Sequence, residues 1–357
     1  MLYVNARFLT QEMTGVQRFA EQICLALNEI RDDVVFISPK GILRQAVADK
    51  LNVKVIGERT GHLWEQIDLP GFLRKNGSPL LLNLCSTAPI FYSNQIVTHH
   101  DITYKRYPKS FSKKFRAVYN TLVPLMLKNS LHLITVSDFS KREISNVYKY
   151  PAERISVVHN AVSDAFTQDL SPLVNSSADE KPYLLAVSSP NFHKNFHGML
   201  EAYSLMSNKD DFSLKIIGKT AGSFLTPEFN EKILADKNIH FLGRVDDDEL
   251  IKLYQHALAF VFPSFYEGFG IPPLEAQACG CPVIASNTAS MPEVLGNSVL
   301  SFDPNDISQI RHAMERVVSD TALRNELKEK GQKNTERFSW DKSAKTISDL
   351  VDKLKSK

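Results

Sequence analysis

Two glutamates, Glu267 and Glu275, flank a turn rich in glycine and proline within FPSFYEGFGIPPLEAQACGCPVIAS, residues 262–286. The apolar run leading into this stretch reads as a strand that ends at Pro263 and Ser264. Gly268 and Gly270 then free the backbone, and Pro272-Pro273 suits the first turn of a helix, which puts Glu275 in that opening turn. Glu267 falls in the loop at the strand's carboxyl end, the rim where open α/β sheets bind ligands. A helix N-terminus offers N–H groups and a positive dipole end, which suit a phosphate or a sugar oxygen. Carboxylates accept hydrogen bonds from pairs of hydroxyls, and glycines let a ligand approach the backbone. A diol beside a phosphate is the chemistry of a nucleotide sugar. The plainer reading of either acid taken alone is a capping glutamate beside a tight glycine turn.

The elements that must position these acids are legible as alternation. In the first half the strand candidates are LYVNA, VVFIS, VKVIG, PLLLNL, QIVTHH, HLITVS and ISVVHN, with helical spacing between them, as where Val16, Phe19, Ile23 and Leu27 recur after Gly15. A polar stretch over 163–182 interrupts the pattern and reads as a linker. Alternation restarts with YLLAVSS, LKIIGK, IHFLG, LAFVFPS, CPVIAS and SVLSFD. Strands alternating with helices predict parallel sheets covered on both faces, hence α/β class with two Rossmann-like domains. The tail after Ser339 repeats apolar residues at Trp340, Ala344, Ile347, Val351 and Leu354, one amphipathic helix that must dock on something.

Composition narrows the function classes. The 357 residues favour two domains over one, and 43% hydrophobic and 23% charged residues with a net charge of +2 argue against disorder and general nucleic-acid binding. Cys24, Cys85, Cys279 and Cys281 have no zinc or redox spacing, so they read as small buried residues in a reducing compartment. No run suits a signal peptide or a membrane span, so the expectation is a cytoplasmic protein that touches a membrane only at its surface.

The spacing of Glu267 and Glu275 resembles the E-x7-E signature of retaining GT-B glycosyltransferases, specifically glycosyltransferase family four. Other words agree in order along the chain. TGVQRF (14–19) resembles that family's first glycine loop, THHDITYKRYP (98–108) its His-Asp strand end and ITVSDFSKREI (134–144) its Val-Ser-x-x-Ser turn. ISVVHNAV, LLAVSSPNFHKN, IHFLGRVDDDELIKLYQHA and ASMPEVLG continue the likeness. The resemblance implies a GT-B fold: an acceptor domain over 1–165, a nucleotide-sugar domain over 166–338, the two facing a central cleft, and a helix over 339–357 crossing back to the N-domain.

Residue by residue, the resemblance implies that Glu275 accepts hydrogen bonds from the donor's ribose, while Glu267 and the backbone of Gly268, Phe269 and Gly270 face the donor sugar and phosphate. Lys194 matches the basic residue at the diphosphate, where a cation stabilises the charge that grows on the leaving group. Many relatives add an arginine after the first C-domain strand; here Ser188 and Ser189 stand there, so Ser189 takes the arginine's place and His193 is a second candidate donor. Gly15 opens a helix whose N–H groups would meet the diphosphate. His100, or His99 if the register shifts, would contact the donor sugar, with Asp101 beside it on the acceptor side. Val245 would lie near the base, and the amides near Ser290 and Met291 near phosphate.

The reading that follows is metal-independent, retaining transfer from a nucleotide-diphosphate sugar, GDP-mannose first, to a glycan acceptor carried on polyprenyl diphosphate. It resembles bacterial O-antigen and capsule enzymes. No cofactor, metal or nucleic acid is implied. Basic residues around Phe111, Phe115, Val118 and Leu122 at helical spacing within 104–128 form either a solvated helix face or a contact with anionic membrane. A UDP-sugar or dTDP-rhamnose donor, a nucleotide-sugar 2-epimerase and a non-catalytic GT-B module are the competing readings. A nicotinamide dehydrogenase is disfavoured because no G-x-G-x-x-G follows the first strand.

Overall fold

The computed structural model describes residues 1–167, 181–187, 191–218, 231–233 and 235–356. Ser189 and most of the expected linker lie outside them. The chain divides into two compact units, one formed by Met1–Ile102, Lys113–Asn160 and Phe338–Lys357, the other by Thr103–Ser112 and Ala161–Arg337.

Among the described residues the first unit has seven strands: β1 (Leu2–Asn5), β2 (Val34–Ser38), β3 (Lys54–Val55), β4 (Leu80–Asn83), β5 (Gln95–Thr98), β6 (His132–Thr135) and β7 (Ile155–Val157). They form one sheet in the order β3-β2-β1-β4-β5-β6-β7, parallel throughout. The strand order reverses between β1 and β4, so a crevice opens at their carboxyl ends. β4 and β5 are buried at every position, as a sheet covered on both faces requires.

Among the described residues the second unit repeats the design with six strands: β8 (Tyr183–Val187), β9 (Ser213–Ile217), β10 (Ile239–Gly243), β11 (Ala259–Phe262), β12 (Val283–Ser286) and β13 (Leu300–Phe302). Their order is β10-β9-β8-β11-β12-β13, again parallel, with the reversal between β8 and β11. Its core gathers Leu184, Met199, Tyr203, Ile216, Val261 and Met314 from strands and flanking helices.

The last helix, Trp340–Lys355, starts where the Ser339 hydroxyl accepts the Lys342 N–H at 3.5 Å. It belongs to the first unit and lies on the helix Gly15–Ile30. Trp340 meets Phe19 edge-on with ring centroids 6.1 Å apart. Arg31 reaches Asp352 at 2.8 Å, and the Ser343 hydroxyl donates to the His159 carbonyl at 2.7 Å.

The basic stretch 104–128 is not one helix. A short helix, Thr103–Arg106, stops before Pro108, because the residue preceding a proline is pushed out of the α region; Tyr107 sits at φ −124°, ψ 65°. Phe111 is extended, with φ −134° and ψ 146°, and the long helix runs from Lys113 to Lys128. Phe111 therefore leaves the helical row with Phe115, Val118 and Leu122, and its ring stacks on His193 at 6.0 Å. Thr103–Ser112 accordingly packs as part of the second unit.

Candidate functional site

The reversal between β8 and β11 is where the second unit gathers its chemistry. From β11 the chain enters the loop 263–270 and then the helix Ile271–Ala278. Gly270 makes that junction at φ +94°, where a Cβ would lie 2.5 Å from the Met291 side chain. The positive φ favours glycine there, and a Cβ would also have to displace the flexible end of Met291. With the helix starting at Ile271, Pro272 and Pro273 fill its first turn. Glu275 is then the fifth helical residue, one position deeper than the opening turn expected for it, and is buried at 7% exposure.

Glu267 and Lys194 meet directly. The Lys194 ammonium lies 2.7 Å from Oε1 and 2.9 Å from Oε2 of Glu267. Burial raises the Glu267 carboxyl's pKa, but the charges of Lys194 and His193 and hydrogen bonds from Lys194 and Ser264 outweigh it, so Glu267 is held below the usual carboxylate range. The pair is thus a true ion pair. Lys194 brings three N–H donors, and two point at Glu267, which leaves one for an anionic ligand.

The supporting bonds fix this geometry. The Ser290 hydroxyl is fully buried and donates to the carbonyls of Glu267 at 2.9 Å and Phe269 at 3.1 Å. Thr288 donates to the Phe265 carbonyl at 3.1 Å, and the Phe265 N–H donates to the His193 carbonyl at 2.8 Å, joining the loop to the turn Phe192–Lys194. The Met291 N–H, expected to reach phosphate, is taken by the Thr288 carbonyl at 3.1 Å. Asn195 closes the turn in the left-handed region at φ +51°, and its Nδ2 donates to the Pro304 carbonyl at 2.7 Å. His193 is buried with Nδ1 2.9 Å from the Ser110 hydroxyl. Tyr107 stacks parallel on Phe265 at 6.2 Å. The segment 103–112 is therefore a wall of this site that the sequence reading did not assign to it. Gly268 sits in the same loop, and Val245 follows β10, the edge strand three places from β11.

In the first unit, His100 and the helix opened by Gly15 come together. His100 is buried, with Nε2 3.1 Å from the Leu84 carbonyl and its ring edge-on to Phe19 at 5.0 Å. A carbonyl only accepts, so Nε2 carries the proton and, in the neutral ring, Nδ1 is an acceptor. Burial pushes the His100 pKa down, and that of His99 to about 3, so both rings are neutral. His99 turns to Tyr148, whereas His100 faces Phe19; Gly15 is exposed and Asp101 half-buried.

A buried polar cluster at the β1/β4 reversal was not foreseen. Asn5 ends β1 and Asn83 ends β4; the Asn5 Nδ2 donates to Asn83 at 3.0 Å and to Glu65 at 3.1 Å. Arg7 pairs with Glu65 at 3.2 Å and donates to Thr87 at 2.9 Å. The one sequence signal was polar NAR directly after an apolar strand; Glu65 and Thr87 carry no local mark.

Cysteine chemistry is muted. The four thiols are free, and burial raises all of them, Cys85 and Cys279 to about 12. Among the described residues no group of three or more His, Cys, Asp and Glu side chains is arranged to hold a metal ion, and no helix is long and apolar enough to cross a membrane.

Comparison with known proteins places the chain. Residues 13–166 match the family model Glycosyltransferase Family 4, and residues 169–334 match Glycosyl transferases group 1. The chain is 33% identical over 254 residues to O-antigen chain mannosyltransferase B of Escherichia coli, covering 69% of this chain and 67% of that protein. It is 30% identical over 334 residues to O-antigen chain mannosyltransferase RfbU of Salmonella typhimurium, covering 88% and 90%. The crystal structure of Anabaena Alr3699/HepE in complex with UDP and glucose has the same fold, with a TM-score of 0.75 at 17% identity over 99% of each chain. With two family models matched in order and a relative aligned along nearly its whole length, the chain belongs to the family-four glycosyltransferases of GT-B fold.

Proposed function

We propose that this chain transfers mannose from GDP-mannose, with retention of configuration and without a metal, to a hydroxyl of a lipid-linked glycan in bacterial O-antigen synthesis. The observation that carries the donor site is the Lys194–Glu267 pair at 2.7 Å beside the glycine loop at the β8/β11 reversal. Mannose is favoured by the two relatives, both O-antigen mannosyltransferases.

In this reading the diphosphate takes the remaining Lys194 donor, helped by Ser189, the loop amides of Gly268, Phe269 and Gly270, and the helix opened by Gly15. Glu275 accepts from the ribose hydroxyls and Val245 borders the base. As the bond from the anomeric carbon to the phosphate oxygen breaks, the electron pair goes to the diphosphate, whose charge Lys194 offsets. The sugar becomes oxocarbenium-like beside the Glu267 carboxylate, with the Nδ1 acceptor of His100 on its hydroxyls and Asp101 on the acceptor side. The acceptor oxygen forms the new bond on the same face, and its proton passes to the leaving phosphate. The Ser290 hydroxyl positions the loop through its two carbonyl bonds, and the Ser290 backbone amide is the group offered to the donor phosphate in this reading. The exposed lysines of Lys113–Lys128 would rest on anionic lipid at the cytoplasmic face of the membrane, where a lipid-linked acceptor waits.

The test is a thermal-shift panel of GDP, UDP, ADP and dTDP, followed by transfer from the nucleotide that binds. A ligand that binds only the native state raises the melting temperature. GDP alone should do so, and GDP-mannose should give an α-linked product in the presence of EDTA. A shift with UDP or dTDP alone transfers the reading to those sugars, and no shift with any nucleotide removes it.

A further inference from the structure

The second unit has a separate concavity. The edge strand β13 and the helix Ile307–Ser319 border an open pocket of about 430 Å³, the size of a small-molecule site. β13 stands two places from β11 in the sheet, so this pocket is not the loop 263–270.

Its charge is one-sided. Arg311, His312 and Arg316 line it together with the hydroxyls of Ser301 and Ser308. Among the described lining residues the only acid, Asp306, is already committed: Oδ1 accepts the N–H groups of Ser308 at 2.9 Å and Gln309 at 3.2 Å, and Oδ2 accepts from the Gln309 side chain at 3.0 Å. Glu315, one turn after Arg311 and placed to neutralise it, instead accepts the Ser207 N–H at 3.1 Å. The Arg311 Nε is buried with no hydrogen-bond partner. A buried guanidinium N–H without an acceptor is unusual enough to require a reason, and a ligand oxygen supplies one. Guanidinium forks match phosphate oxygens in pairs, so two arginines and two hydroxyls lining one pocket suit a phosphoryl group. Of the two rings among the described lining residues, Phe302 is 2% exposed and offers no face to a ligand, and the exposed imidazole of His312 adds one more polar group.

We propose that this pocket is a second anion site that binds a phosphorylated small molecule of monosaccharide size, distinct from the donor site. The inference stands apart from the glycosyl-transfer reading, since none of its residues belongs to that site.

The test is titration calorimetry on the full chain with mannose 6-phosphate, inorganic phosphate and glucuronate as probes. Mannose 6-phosphate should bind saturably at one site, about tenfold more tightly than either other probe, and Arg311→Gln/Arg316→Gln should weaken it by at least about tenfold. The same variant should keep the wild-type shift in melting temperature with whichever nucleotide binds the donor site. If the variant does not fold, protection of Arg311 and Arg316 from phenylglyoxal in the wild-type chain, read by mass spectrometry, replaces it; protection by mannose 6-phosphate supports the site. Absence of saturable binding at millimolar probe, unaltered affinity in the variant, equal binding of inorganic phosphate, or displacement of the sugar phosphate by excess nucleotide each overturns the proposal.

Discussion

At the scale of single residues, Lys194 and Glu267 set each other's charge, and each therefore has two jobs that substitution can separate. Removing the cation in Lys194→Met leaves a buried carboxylate unpaired. Breaking a fully buried pair costs about 3–5 kcal/mol, and because Lys194 is 26% exposed, about 2 kcal/mol is expected here. Transfer should also fall by about 10²–10³, the usual loss when one stabilising donor is removed from developing charge. Lys194→Met/Glu267→Gln should regain most of the stability and none of the activity; recovery of both would mean that the pair is only structural. The pH dependence has a definite sign. Glu267 has a lowered folded pKa, so its contribution is present above the unfolded value of about 4.3 and is lost as pH falls through the folded value. Chemical denaturation at pH 7 and pH 3 should therefore show the gap between wild type and Glu267→Gln shrinking in acid. These residues were legible in the sequence because they lie in short words of fixed spacing. Arg7 and Glu65 were not, since they stand 58 positions apart and meet only through the fold. Arg7→Met should cost about 3–5 kcal/mol, both side chains being almost fully buried, and Arg7→Met/Glu65→Gln should cost much less; equal melting temperatures for the two variants would contradict the pairing.

At the scale of elements, the strands and most helices follow from periodicity, and the two departures have local causes. Glu275 moved one place deeper because Gly270, in the left-handed region, ends the loop abruptly and lets the helix begin at Ile271. The basic stretch 104–128 broke because Pro108 excludes helix from Tyr107, a local effect that the spacing of Phe111 and Phe115 concealed. The junction at Gly270 is the element most sensitive to change. Gly270→Ala meets both a positive φ and a Cβ contact of 2.5 Å with Met291, so it should cost about 1–3 kcal/mol and weaken nucleotide binding as the loop shifts. Met291 is a flexible side chain, so Gly270→Ala/Met291→Ala removes the clash but keeps the backbone strain. Because Met291 is itself buried, Met291→Ala opens a cavity of its own, so the quantity to read is the cost of Gly270→Ala within the Met291→Ala background, which should be smaller than in the wild type but not zero. A cost of zero there would mean that the conformation at Gly270 carries no strain, and an unchanged cost that Met291 was never the obstacle.

At the scale of the whole molecule, the first unit is not a contiguous piece of chain, because it takes its last helix from 338–357. That helix contributes the buried side chains of Trp340, Ile347, Leu350 and Val351. At about 1.5–3 kcal/mol for each large apolar side chain, these four account for roughly 6–12 kcal/mol, as much as the whole net stability of an ordinary domain. The face of Gly15–Ile30 on which this helix lies, marked by the Phe19–Trp340 contact, would lose its cover without it. A chain shortened to 1–337 should therefore lose the cooperative transition of the first unit and aggregate through that face. The second unit, complete within 103–112 and 161–337, should keep its own transition and its nucleotide-induced shift. A synthetic 338–357 peptide added to the shortened chain should restore the missing transition in calorimetry, in proportion to its concentration. If the shortened chain instead melted with both transitions unchanged, the terminal helix would be an ornament on a unit that folds without it, and the amphipathic pattern from Trp340 to Leu354 would need another partner.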